Sequence, residues 1–255
     1  MTKRIVFELC AESLEACLSA RTGGADRIEL CSILQVGGVT PASELVKAAV
    51  QQSGLPVHVL LLPQAGSFVY SSESYAAVAV SLQHMRQLGV AGVVLGFLNP
   101  DYTVDIDHTQ SLVEMAFPLE VSFHRAFDAT ADKREALEDV IATGCGRVLS
   151  SGGSPDVLSG VFALAGLVEQ ASERIEVAVA GGLTLQNARQ VAKQTRARHC
   201  HASLRQKRSE SGTLLPFLAD RIQTMAGILS ECGQSRDGQH LLPRTREQIE
   251  SPFTS

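Results

Sequence analysis

This chain of 255 residues contains no apolar stretch approaching the ~20 residues of a membrane-spanning helix, which excludes that class. Its opening does not read as a signal peptide, because Lys3-Arg4 is followed by only a short apolar run containing Glu8. Six cysteines (Cys10, Cys17, Cys31, Cys145, Cys200, Cys232) are scattered without a CxxC pair, so no paired-cysteine redox or metal motif is present and a cytoplasmic protein with reduced thiols is predicted. An excess of positive charge is missing too. The net charge of −5 and pI of about 5.8 carry no nucleic-acid footprint. The densest basic run, residues 196–208, is broken by His, Cys and Ser and reads as a strand with a flanking loop. No HExxH pair offers a ready metal site.

What is present is an ordinary globular composition, 45% hydrophobic and 19% charged with mean hydropathy +0.10, in a chain long enough to bury a large core without staples. Strand and helix patterns alternate along it. Residues 4–10 alternate apolar with polar or small and predict a strand; residues 13–22 predict a helix that Gly23-Gly24 stops. Further strands are predicted over 26–31, 55–62, 91–97, 118–124, 147–151, 175–180 and 198–203. Helices are predicted over 41–52, 73–88, 105–117, 131–141, 155–170, 184–194 and 214–229. Helix–Gly–strand junctions at Gly24, Gly54, Gly89 and Gly144 act as a weak internal repeat. Eight such units in about 250 residues predict a single-domain α/β fold, a closed TIM-type (β/α)8 barrel. The barrel is expected over residues 1–232 and an irregular or flexible tail over 233–255. A doubly wound open sheet competes, but it asks for a Gly-rich turn after the first strand, where this chain has Cys10-Ala11-Glu12.

The chemistry centres on Val121-Ser122-Phe123-His124-Arg125-Ala126-Phe127-Asp128, a buried strand ending in a base, a cation and a carboxylate. Alternation turns Glu8, Cys10, Glu29, Cys31, His58, His124, His201 and Ser203 toward the lumen. A barrel lumen is normally filled by branched apolar side chains, and an unpaired buried ion costs roughly several kcal/mol. These groups are therefore expected to share one chamber at the mouth. Glu8, Glu29, His58, His124, Arg125, Asp128 and His201 are the catalytic candidates for an enzyme acting on a small polar metabolite. A self-satisfied structural network is the competing reading. Ser150, Ser151 and Gly152 after strand six, Gly181 and Gly182 after strand seven, and Ser203 after strand eight are candidate ligand or anion contacts, although tight-turn glycines look the same. Cys10 and Cys31 end neighbouring strands at matching positions, so their sulfurs can meet across a strand spacing of ~4.8 Å. Two thiolates suit Cu(I), or Zn(II) with imidazole help; two small buried hydrophobes would need no metal.

Several of these segments together resemble the CutC family of copper homeostasis proteins, over residues 4–205. They are Glu8-Leu9-Cys10, Gly24-Ala25-Asp26-Arg27-Ile28-Glu29-Leu30-Cys31, Gly37-Gly38-Val39-Thr40-Pro41, Pro56-Val57-His58, Phe123-His124-Arg125-Ala126-Phe127-Asp128, Arg147-Val148-Leu149-Ser150-Ser151-Gly152 and Ala180-Gly181-Gly182. The resemblance implies a cytoplasmic TIM-type barrel, a homo-oligomer, and a role in copper tolerance with Cu(I) bound by Cys10 and Cys31. One segment departs from the family. Where the family shows Arg-Pro-Arg-x-Gly-Asp-Phe, this chain has Leu62-Pro63-Gln64-Ala65-Gly66-Ser67-Phe68. The fork-shaped donors expected at positions 62 and 64 are lost, and with them a ready carboxylate or phosphate contact. The expected partner is a metal ion or small molecule, not nucleic acid or membrane.

Overall fold

The computed structural model describes residues 4–64, 66–205 and 218–238, with side chains through 234. Eight strands close into a parallel barrel in chain order: β1 (Val6–Ala11), β2 (Arg27–Leu30), β3 (Val57–Leu60), β4 (Gly92–Leu95), β5 (Glu120–Phe123), β6 (Arg147–Ser150), β7 (Glu176–Val179) and β8 (His199–Ala202). They alternate with α1 (Leu14–Thr22), α2 (Ser43–Gln52), α3 (Ser72–Leu88), α4 (Ile106–Ala116), α5 (Lys133–Ala142), α6 (Val161–Ala171), α7 (Ala188–Thr195) and α8 (Leu218–Gly238). This is the (β/α)8 barrel that the alternation predicts. No described helix is long and apolar enough to cross a membrane.

Period-two alternation creates two cores. Outward residues such as Phe7, Leu9, Ile28, Leu30, Val93 and Phe123 pack against Leu82, Leu112, Leu137, Leu164 and Val191 of the helices. Inward residues form a smaller apolar cluster that includes Cys10, Cys31, Leu60, Leu62, Val94 and Leu149. The rest of the lumen is polar, with Glu8, Arg27, Glu29, His58, His124 and Arg147 all buried.

Local signals set the element ends. Ser13, Asp105 and Asp132 cap their helices by accepting backbone N–H groups of the first turn. The junction glycines Gly24, Gly54, Gly89 and Gly144 all hold a left-handed φ between 65° and 83°, which explains their recurrence. One boundary needs correction: helix α8 runs through Gly238, past the expected start of the tail at position 233. Residues 239–255 of that tail, and residues 214–217 of the expected final helix, lie outside the described residues.

Candidate functional site

The lower lumen is an ion network. Glu8 accepts from Arg27 Nε at 2.8 Å, from Arg147 Nη2, and pairs with His201 Nδ1 at 2.8 Å. Burial pushes the Glu8 carboxyl up, but Arg147, the His201 bond and Arg27 outweigh it and hold it well below the usual range. Arg27 Nη1 reaches Glu120 Oε2 at 2.9 Å, and His58 Nε2 lies 3.7 Å from the same oxygen. Burial, reinforced by Arg27, drives His58 down to about 3; burial and Arg147 drive His199 down to about 4. Both imidazoles are neutral at pH 7.

The expected single chamber is therefore divided. Glu8 and His58 lie beneath it and do not border its cavity. Arg27, Arg147, Glu120 and His199 join them, and sequence reasoning missed all four. Arg27 and His199 stand two residues before Glu29 and His201, so the same alternation reaches them. His199-Cys200-His201 is an imidazole pair at HxH spacing, while Cys200 turns outward into the helix-side core.

Above the network a cavity of about 500 Å³ opens at the carboxyl ends of the strands, within the range of small-molecule sites. Cys10, Glu29, His124, His201 and Ser203 supply its polar lining. Leu34, Leu60, Leu62, Phe68, Leu149 and Leu183 supply apolar wall, and Arg125, Arg205 and Arg221 the cations. Leu62 thus stands in the wall at a position where the family motif has arginine.

Parallel register places Cys10 opposite Glu29 rather than Cys31, which corrects the matching-position expectation. The sulfurs still approach to 3.9 Å, with Cys31 closed off behind Cys10 against Gly38. Cys10 Sγ also lies 3.9 Å from Glu29 Oε1, and Cys10, Glu29 and His201 each offer a ligand atom within 4.8 Å of the others. Burial raises Glu29, while its Oε2 is buried and accepts no hydrogen bond among the described residues. Burial opposes charge on His201, but Glu29 and Glu8 outweigh it and raise the imidazole.

His124 sits at the end of β5, where a short 3-10 turn (Arg125–Ala129) begins. Its Nδ1 accepts the Ala126 N–H at 3.2 Å, which places the ring proton on Nε2. Phe68 and Phe123 flank the ring at centroid distances of 5.1 and 5.9 Å. Burial lowers this imidazole to about 4. Gly96, just past the end of β4, makes room for it: a Cβ there would lie 2.8 Å from Nδ1.

Two site expectations change. Ser150, Ser151 and Gly152 do not present open donors to an external anion, because Asp128 fills their loop. Its carboxylate accepts Ser150 Oγ at 2.7 Å, the Ser151 N–H at 3.0 Å, Ser151 Oγ at 3.0 Å and the Gly153 N–H at 3.1 Å. The Gly152 N–H goes to Ser150 Oγ at 2.8 Å. Asp128 is thereby saturated, does not border the cavity, and accepts Arg125 Nε at 2.8 Å. Arg125, Gly181, Gly182 and Ser203 do line the cavity.

Comparisons with known proteins agree with the fold. The sequence model of the CutC family matches residues 5–206. The CutC family protein of Mesorhizobium japonicum is 42% identical over 200 residues, covering 78% of each chain. That of Chromobacterium violaceum is 40% identical over 200 residues, covering 78% of this chain and 81% of its own. A solved Streptococcus agalactiae structure with the provisional name copper homeostasis protein CutC has a TM-score of 0.74 at 30% identity, covering 78% of this chain and 98% of that one. Thiamine phosphate pyrophosphorylase from Pyrococcus furiosus, at 15% identity and TM-score 0.58 over 91% of this chain and 98% of its own, shares the fold alone. With a family match running from β1 to β8 and relatives 40% and 42% identical, this chain belongs to the CutC family.

Proposed function

We propose that the protein handles copper by binding Cu(I) through Cys10 and Cys31 at the floor of the mouth cavity. The observation that carries this reading is the 3.9 Å approach of the two sulfurs. Two metal–sulfur bonds of ~2.3 Å meeting at a trigonal to tetrahedral angle span that distance. The donor types fit: soft thiolates select Cu(I), and the neighbouring Glu29 and His201 are donors that would extend the set toward Zn(II). The Cys10 thiol is held well above its usual range by its bond to Cys31, by burial and by the charge of Glu29. Binding therefore releases a proton and strengthens as pH rises. The name of the S. agalactiae relative supports copper as the cargo. The reading carries with it a cytoplasmic setting, where thiols stay reduced, and a homo-oligomer.

Anaerobic titration with Cu(I) against a chromophoric chelator tests the proposal. The Cys10→Ser/Cys31→Ser variant is expected to lose affinity by about tenfold or more. Unchanged affinity in that variant would end the copper reading. Preferential Zn(II) binding that also needs Glu29 and His201 would reassign the metal.

A second reading, an enzyme acting on a small metabolite, is favoured by the cavity itself, since about 500 Å³ is far more than one metal ion fills. Under it Glu29 and His201 are the acid–base pair nearest the cavity, and His124 is a neutral donor.

A further inference from the structure

The cavity is lined by more cations than acids. Glu29 is the single acid among its lining residues. Its cations are Arg125, Arg205 and Arg221. Arg205 is matched by Glu12 at 3.1 Å, whereas half-buried Arg221 has no partner among the described residues. Arg125 is fixed in place. Its Nε donates to Asp128 at 2.8 Å and its Nη2 to Ser151 Oγ at 3.0 Å, and Nη1 remains over. The guanidinium packs close to Gly181, where a Cβ would come within 2.9 Å of Arg125 Cζ. Gly181 and Gly182 line the same cavity, and their N–H groups donate to nothing among the described residues. A preorganised cation beside free backbone donors is an anion receptor. The wall is apolar, with Leu34, Leu62, Phe68 and Leu183 all bordering the cavity.

We propose that the mouth cavity binds a small organic anion, its charged head on Arg125 and the Gly181-Gly182 backbone and its compact apolar body against Leu62 and Phe68. A carboxylate and a phosphate ester share that head-group chemistry. The site shares its cavity with Cys10, but its contacts on Arg125 and Gly181-Gly182 do not rest on the copper reading.

Thermal shift and calorimetric titration of the full chain test it with four probes: 4-methyl-2-oxopentanoate, isopentyl phosphate, the neutral 4-methyl-2-pentanone and inorganic phosphate. One or both organic anions are expected to bind at least about tenfold tighter than the ketone and inorganic phosphate. Which of the two wins identifies the head group. Equal binding of the ketone, equal binding of inorganic phosphate, or no binding of either organic anion overturns the proposal. In the wild-type chain, the amide resonances of Gly181 and Gly182 and the Arg125 Nε resonance are expected to move during the titration; saturation without such movement also overturns it. Arg125→Lys is expected to weaken the anion about tenfold with the ketone unaffected. Anions are titrated into the metal-free chain and Cu(I) into the anion-free chain, so failure of the copper site and failure of the anion site are read separately.

Discussion

Two levels of one lumen treat buried charge in opposite ways. In the lower level buried Glu8 faces both Arg27 and Arg147, the exposed Glu120 adds a second carboxylate to Arg27, and His58 and His199 stay neutral beside them. In the upper level Glu29 is raised, the cations outnumber it, and Arg221 stands without a partner among the described residues. The same residue types occur in both. What separates a structural ion network from a binding site is whether its charges face counter-charges or border open space, for the lower level is matched in charge although Arg27 Nη2 and Arg147 Nε lack hydrogen-bond partners among the described residues.

The largest effect expected from this contrast comes from one pair of substitutions. Glu8→Gln leaves Arg27 and Arg147 buried without their shared counter-charge, and a broken buried pair costs about 3–5 kcal/mol. Glu29→Gln imitates the neutral form that burial already favours, so its cost is expected near ~1 kcal/mol or less. Urea unfolding at pH 7 measures both. Equal costs would erase the distinction between the levels.

Counted per group, acid is expected to act next most strongly, mainly through the neutral imidazoles. His58 is held at about 3, and His199 and His124 at about 4, all below the value of about 6.5 in an unfolded chain. As pH falls below 6.5 the unfolded chain takes up protons first, so stability that is complete above that pH drains away toward 4. At pH 5 the loss is ~2 kcal/mol for each imidazole. His201, raised by Glu29 and Glu8 against its burial, works the other way and is more favourable below 6.5. Glu8, held low, adds its own loss only further into acid. The urea midpoint is expected to fall between pH 7 and pH 5, and His58→Gln to shallow the fall. A flat profile would mean that the imidazoles are not buried neutral.

The barrel was readable because it is a local pattern repeated: period-two strands and helices recur eight times, four of the helix–strand junctions marked by a left-handed glycine. The inward positions of Glu8, Glu29, His58, His124 and His201 were readable for the same reason. Their division into two levels was not, because the level depends on the stagger between strands, which no single strand carries. That stagger sets Cys10 opposite Glu29. The Ser150–Gly153 loop illustrates a second limit. Its donors suit an anion, but the anion is Asp128 from the preceding unit, a contact between β5 and β6 that no local motif announces. Arg125 shows the converse: its pairing with Asp128 three residues on was within reach of the sequence, and its place against Gly181 was not.

The smallest expected effect is the sharpest probe of the upper level. Cys31 is fully buried beside Cys10 and Gly38. Removing its sulfur in Cys31→Ala deletes one buried heavy atom and leaves a space of about methyl size, which costs about 1 kcal/mol. For a chain of this length that is a fall of about 2–4 °C in Tm by calorimetry. The thiol exchanges no charge with the arginine network beneath it, so no stranded ion is left behind, in contrast to Glu8→Gln. Copper affinity, if the sulfur pair is the site, is expected to fall by about tenfold or more in the same variant. A small stability cost with a large affinity loss marks residues kept for binding. A cost approaching that of Glu8→Gln would mean that the sulfurs are part of the scaffold, and the upper level would then differ from the lower only in its polarity.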